Sequence, residues 1–359
     1  MSTFLDLLRI LAALAVFLGH TNFHWFWNPS SIGPQNGQDY VIVFFVLSGF
    51  VIAWSTDKKV DLTINQYLFE RITRLWSVVL PALIIGCAID YWGRMIHPPT
   101  YQNIVSPDHL WARYVISVSF FHESWFLSIR PGSNAPLWSL SYEFFYYLIF
   151  GFVQLIPTLG RKILAVTIAS LLAGPKVLLL FPCWLIGAIT FKLCKNYKLN
   201  SLASLLFFLP SAWFLIDRMS TRWHHWSPWE IPGLGLPPLF YSAKPLDDYL
   251  TAFACGLLIL GINHWLPLQA RPSNHFKTTI RHLAGCSFTL YAIHFPLMAF
   301  LAALHSSGKL PIKHLPISIF LILVLCYCLS FIFERPLHTF RTSIISTFPS
   351  LFKRCGIRS

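Results

Sequence analysis

Ten apolar runs separated by short polar or basic stretches occupy almost the whole chain, at 4–21, 39–56, 75–95, 137–157, 163–178, 179–194, 200–217, 248–264, 284–304 and 315–333. Each approaches the roughly 20 residues that a helix needs to cross about 30 Å of hydrocarbon. A membrane β-barrel would show short segments of alternating polarity, whereas "LPISIFLILVLCYCLSFIF" (Leu315 to Phe333) is apolar on every face. The pattern predicts an all-α, polytopic membrane protein with about ten transmembrane helices. Those helices are expected to form a single transmembrane domain over residues 1–359, with no appended soluble domain expected. The fifth and sixth runs are the least sharply divided. Between them "LLAGPKVLLLFP" sets Gly174, Pro175, Lys176 and Pro182, which fit either a tight turn or a broken helix. No internal repeat of solenoid length is visible.

Composition agrees with that pattern. Hydrophobic residues make up 55% of the chain and charged residues 11%, and mean hydropathy is +0.58, which excludes an ordinary soluble domain. The net charge of +13 would point to nucleic acid in a soluble protein. Here the cations gather in one set of alternate loops (Lys58, Lys59, Arg71, Arg74, Arg161, Lys162, Lys192, Lys195, Arg271, Arg335) and are sparser in the other. By the positive-inside rule they report orientation: both termini are expected in the cytoplasm, with membrane lipids and no nucleic acid as surroundings. The eight cysteines form neither a C-x-x-C pair nor a spaced set, so neither a disulfide framework nor a metal site is expected. The N-terminus reads as an uncleaved first span. Two longer outer loops, 96–136 and 218–247, are rich in Trp, Pro, His and Tyr and either re-enter the membrane face or cover a cavity.

Polar groups inside a bilayer are costly, and they mark candidate chemistry when they cannot reach an interface. Arg9 and His20 are eleven residues apart, close to three helical turns, so they share a face about 16 Å apart along the axis. Either Arg9 extends to the inner surface while His20 caps the outer end, or the two join opposite halves of the membrane. Glu143 lies in "PLWSLSYEFFYYLIF" among Trp138, Tyr142, Phe144 and Tyr146, where a carboxylate needs a partner. In "FTLYAIHFPLMAF" His294 is followed by Pro296, which bends the helix and frees a carbonyl near the histidine. Arg71 and Arg74, at i and i+3 in "FERITRLW", form either an anion clamp or an inner-leaflet anchor. Ser48 and Gly49 in "FFVLSGF" allow close approach of a helix or a ligand.

Taken in order, "LDLLRILAALAVFLGH", "FFVLSGF", "RITR", "PLWSLSYEFFYY", "LYAIHFPL" and "FERP" resemble the membrane acyltransferase 3 family, which O-acylates extracytoplasmic glycans and some other acceptors. The likeness runs from the first span to the last. It implies that Arg9 and His20 are needed for activity, that Arg71 and Arg74 are the family's paired arginines, and that Trp138 to Glu143 match its fourth-span signature. His294 matches its ninth-span histidine, and Arg335 its terminal motif. The chain departs from the family at Leu7, Ile42 and Ser77, where a glycine, an acidic residue and a proline are usual; Ile42 removes a possible second carboxylate.

The resemblance implies an integral membrane acyltransferase, most simply an acetyltransferase of a bacterial inner membrane. Its donor is cytoplasmic acyl-CoA, a substrate and not a resident cofactor, docked by Arg9, Arg71 and Arg74 through its phosphates. Its acceptor is a hydroxyl of a surface glycan or lipid-linked sugar arriving from the outer side. His20 is the candidate general base, Glu143 its orienting carboxylate, and His294 a second acid/base or oxyanion donor. Ser48, Gly49, Trp138 and Arg335 complete the substrate path or its framework. A covalent acyl-enzyme is an alternative route. A transporter or flippase is the competing class, with the intramembrane charges binding substrate or relaying protons; an inactive scaffold is a third.

Overall fold

The computed structural model describes all residues except 24–25, 27–36, 103, 221–237, 267–274 and 355–359. Most of the second outer loop, Arg222 included, and the separate stretches that hold Arg271 and Cys355 therefore lie outside the described residues. The helices are α1 (Ser2–His20), α2 (Gly37–Asp57), α3 (Ile64–Ile96), α4 (Pro98–Gln102), α5 (Leu110–Val118), α6 (Trp138–Leu155), α7 (Leu159–Ala173) and α8 (Pro175–Leu179). They continue as α9 (Phe181–Asn196), α10 (Ser201–Ser220), α11 (Pro245–Ile262), α12 (His275–Ala284), α13 (Ser287–Ala303), α14 (Leu315–Phe333), α15 (Leu337–Thr347) and α16 (Pro349–Arg354). The fold is all-α, with no strand among the described residues.

Every apolar run lies on a helix, but not every helix is a span by length and composition. Seven are long and apolar enough to cross a membrane, or eight if α12 and α13, bent by 44°, count as one. The fourth and fifth expected spans fall short for different reasons. In α6 the first half carries Trp138, Ser139, Ser141, Tyr142 and Glu143, and α7 has 15 residues. The doubtful boundary between the fifth and sixth runs is a tight turn. Gly174 adopts φ +81°, and Trp125 caps the end of α7 by donating its backbone N–H to the Ala173 carbonyl (2.9 Å) and its indole N–H to that of Leu171 (2.8 Å). The third helix starts well before its apolar run. Thr63 caps it by accepting from the Gln66 N–H, so Arg71 and Arg74 lie more than a turn inside a 33-residue helix.

The described residues form two compact units: α1, α2 and α8–α12 in one, α3–α7 and α13–α16 in the other. In the first, α2 and α9 pack backbone to backbone. A Cβ on Gly49 would lie 2.0 Å from the Trp184 carbonyl oxygen, and one on Gly187 would lie 1.9 Å from that of Val46. Small residues that let two apolar helices meet are the usual solution where hydrophobic burial gives no preference for helix over lipid. Of the two readings of the S-G-F motif, helix packing is what the structure shows for Gly49, and Ser48 joins it by accepting the Trp184 indole N–H (3.2 Å).

In the second unit α3 packs against α6, where Gly151 of α6 receives the Tyr67 ring of α3. In the segment between α5 and α6, His122, Glu123, Ser124, Ser133 and Asn134 are buried within the unit while Trp125, Phe126 and Leu127 are exposed, so this part of the first outer loop is anchored into its own unit.

Candidate functional site

Within the second unit the polar residues fall into two layers along α3. At its start Arg71 and Arg74 are joined by Arg341 of α15, which donates to the Thr73 hydroxyl (2.9 Å) and the Glu70 carbonyl (2.6 Å). Arg71 packs over the Tyr67 ring (5.5 Å) and lies 3.5 Å from the Glu70 carboxylate. Arg74 donates to Glu334 at 2.8 Å while remaining 31% exposed. At Ser77, the usual proline position, the hydroxyl instead bonds back to the Arg74 carbonyl (3.0 Å).

Glu334, the acidic residue of F-E-R-P, is the hub of this layer. Its other oxygen accepts from the backbone N–H (2.9 Å) and hydroxyl (3.0 Å) of Thr289, in the first turn of α13. A carboxylate there satisfies an N–H that the helix cannot and complements the positive end of the helix dipole. Glu334 thus ties the arginine layer of α3 to the helix that carries His294. Arg335 takes a different place, stacked on the Tyr327 and Phe331 rings with its Nε–H directed to the Ser330 hydroxyl. Sequence reasoning chose Arg335 and passed over Glu334 and Arg341. The apolar run ending at Phe333 shows that a charge follows, but not which helix receives it.

His294 is fully buried one to two turns further along α13. Its Nδ1 lies 2.8 Å from the Leu290 carbonyl oxygen. A carbonyl only accepts, so Nδ1 carries the proton and, in the neutral ring, Nε2 holds the lone pair. The carbonyl freed by Pro296 is that of Ala292, and the Asn134 side-chain N–H fills it at 2.8 Å. The expected freed carbonyl therefore has a partner from a distant loop, within a helix that runs unbroken through Pro296. The Tyr291 hydroxyl donates to the Pro136 carbonyl (2.7 Å) and lies 2.7 Å from the Ser139 hydroxyl, fixing the start of α6 against α13.

Glu143, half-buried in α6, accepts the Tyr147 hydroxyl at 2.5 Å, so it has the partner its setting demanded. Trp138, Tyr142 and Tyr146 form an edge-to-face series along the same helix, with ring centroids 5.2 and 6.3 Å apart. Tyr67, one turn before Arg71, lies within electrostatic reach of both Arg71 and Glu143.

In the first unit α1 runs unbroken from Ser2 to His20, so Arg9 and His20 keep the shared face their spacing predicts. Arg9 is 3.8 Å from Asp6, and His20, half-buried, is the last residue of the helix. A buried ionic network also occurs here that the sequence did not reveal. The Asp39 carboxylate accepts from Arg218 (3.0 Å) and Thr251 (2.8 Å), and the Gln38 amide donates to Asp248 (3.0 and 2.9 Å). Asp39 stands one turn before Ile42 on α2, so that helix does hold a buried carboxylate although the usual position lacks one. The missed signal was a pairing of ends: Arg218 closes one span, and Asp247 and Asp248 open the next.

Comparison with known proteins agrees with the motifs. An acyltransferase named MdmB from Streptomyces mycarofaciens is 33% identical over 149 residues, covering 40% of this chain and 36% of that protein. The aligned region thus spans about a third of that curated relative's length. No solved structure matches. The family model for an acyltransferase domain matches residues 2–335, from the first helix to F-E-R-P. With nearly its whole length matched, the chain belongs to the acyltransferase 3 family.

Proposed function

We propose that the protein is a membrane O-acyltransferase that moves an acyl group, acetyl in the simplest case, from cytoplasmic acyl-CoA to a hydroxyl of a surface glycan or lipid-linked sugar on the outer side. On this reading it resides in a bacterial inner membrane with both termini cytoplasmic. The observation that carries the reading is the arginine cluster near the start of α3 and the junction beside it: Arg71, Arg74 and Arg341 gather there, and Arg74 is bonded through the Glu334 carboxylate to the helix of His294. Arginine suits phosphate because its planar fork makes paired, charge-assisted hydrogen bonds. Arg9 adds a cation on α1.

Chemically the transfer needs a group to take the hydroxyl proton as oxygen attacks the thioester carbonyl, and a group to stabilise the oxyanion before the C–S bond breaks and coenzyme A leaves as its thiol. His20 is the general base. Glu143 supplies the carboxylate, and His294, whose Nδ1 bonds the Leu290 carbonyl, is the second acid/base or oxyanion contact. Ser48, Gly49, Trp138 and Arg335 serve as framework. Neither a metal nor a resident cofactor is invoked.

Sided membrane vesicles given labelled acetyl-CoA on one face and a glycoside on the other test the reading. Label should appear on the glycoside only when the donor has access to the face bearing Arg71 and Arg74. Glycoside movement without thioester consumption would overturn the proposal in favour of a transporter.

A further inference from the structure

At the far end of α3 from the arginines, a cavity of about 1040 Å³ opens between α3, α4 and α5 of the second unit. Asp90 and Arg94 enter it one turn apart, Trp111 and Tyr114 come from α5, and Tyr101 comes from α4. Asp90 is buried and held by Ser133, whose backbone N–H and hydroxyl each bond one carboxylate oxygen (2.7 and 2.6 Å). Each oxygen has a second lone-pair position for another donor. Gly132, at φ +60°, makes room for this: a Cβ there would lie 2.1 Å from Asp90 and 2.6 Å from the Tyr114 hydroxyl. Burial, and then the Asp90 charge, push the Tyr101 and Tyr114 phenols up, so both stay protonated.

This cavity lies one layer from His294. Asp90 bonds Ser133, the next residue Asn134 bonds Ala292, and Tyr101 packs in one buried cluster with Phe295, which follows the histidine. Along α3 it lies sixteen residues beyond Arg74, about 24 Å at 1.5 Å per residue. The volume suits a ligand of one to a few rings. The lining is mostly carbon, with a carboxylate and a guanidinium set into it. A stretch of bare polysaccharide would leave that carbon unmatched, whereas a sugar on an apolar carrier places hydroxyls on Asp90 and Arg94 and its carrier against the aromatic wall.

We infer that this cavity is the acceptor site, and that the acceptor is a hydroxyl-bearing sugar ring joined to an apolar carrier. The inference rests on the acyltransferase reading for the word acceptor, but its binding part can be tested alone. Cys87 lines the cavity and is exposed, so it serves as a reporter. In a background with Cys286, Cys328 and Cys355 changed to Ser, labelling of Cys87 by a maleimide is followed in nanodiscs with and without p-nitrophenyl β-D-glucoside. Protection of about tenfold is expected at saturation, and it should fall to nearly none in Leu110→Trp, which fills the cavity. Trp111→Ala, at an exposed position, checks the same wall by a change that leaves folding undisturbed and should weaken protection several-fold. In transfer assays both variants should raise KM for the glycoside and leave KM for acetyl-CoA unchanged. Unaltered Cys87 labelling at every glycoside concentration would overturn the site even if transfer is observed. Protection without any acetyl-CoA turnover would overturn the acceptor role together with the acyltransferase reading, leaving a glycoside-binding cavity.

Discussion

Removing the Glu334 carboxylate should both loosen the second unit and slow the reaction. The Glu334 carboxylate makes three hydrogen bonds: one to Arg74 at 2.8 Å and two to Thr289, at 2.9 and 3.0 Å. Losing one partner of a buried pair costs about 3–5 kcal/mol. Arg74 is 31% exposed and regains water, so Glu334→Ala should fall near the lower end, about 3 kcal/mol. Glu334→Gln keeps an acceptor for Thr289 but turns its amide toward Arg74 or leaves that charge unmatched, so about 1–2 kcal/mol is expected. The assay is a double-mutant cycle with Arg74→Gln, read by thermal melting of the purified protein in nanodiscs. A coupling energy of about 1–2 kcal/mol is expected, because each single change already removes the shared bond. Because Glu334 also fixes the first turn of the His294 helix, kcat should drop about tenfold or more, equivalent to about 1.4 kcal/mol on the barrier. Additive melting effects, within about 0.5 kcal/mol, would refute the bridging role.

Four further outcomes follow from individual contacts. Asn134→Ala strands the Ala292 carbonyl beside Pro296 and should destabilise by about 1–3 kcal/mol, with Asn134→Asp no better, as measured by chemical unfolding. Gly49→Leu forces α2 off the Trp184 carbonyl and should reduce folded yield and melting temperature sharply, whereas Ser48→Ala, which loses one long hydrogen bond, should shift Tm little. Arg218→Ala leaves Asp39 buried without its cation and should cost about 3–5 kcal/mol, relieved in part by adding Asp39→Asn. Inserting one residue between Val16 and Phe17 rotates His20 about 100° relative to Arg9 and should abolish transfer while membrane insertion persists.

The helices were legible in the sequence because hydropathy over about 20 residues is a one-dimensional property, and the shared face of Arg9 and His20 followed from helix geometry alone. The carbonyl freed by Pro296 was legible for the same reason: a missing N–H is local. The partners were not. That Asn134 fills the freed carbonyl, that Glu334 selects Arg74 and Thr289, and that Asp39 meets Arg218 all depend on which helices become neighbours, information carried by the packing of several runs at once. The start of α3 was misjudged because Ile64 to Arg74 is a polar helical turn sequence that follows a threonine cap, and an apolar-run criterion begins only at Leu75. The cavity at Asp90 was hidden because α3 is met there by short helices of a loop whose alternatives, re-entry or cover, sequence left open.

The most direct measurement of the central claim is single-turnover transfer from labelled acetyl-CoA by the purified protein in the presence of p-nitrophenyl β-D-glucoside, for wild type and for His20→Ala. The account predicts labelled glycoside and free coenzyme A in equal amounts from the wild type, and neither from His20→Ala although that variant inserts and melts like the wild type. Equal transfer by both proteins, or no thioester cleavage by the wild type, would contradict it.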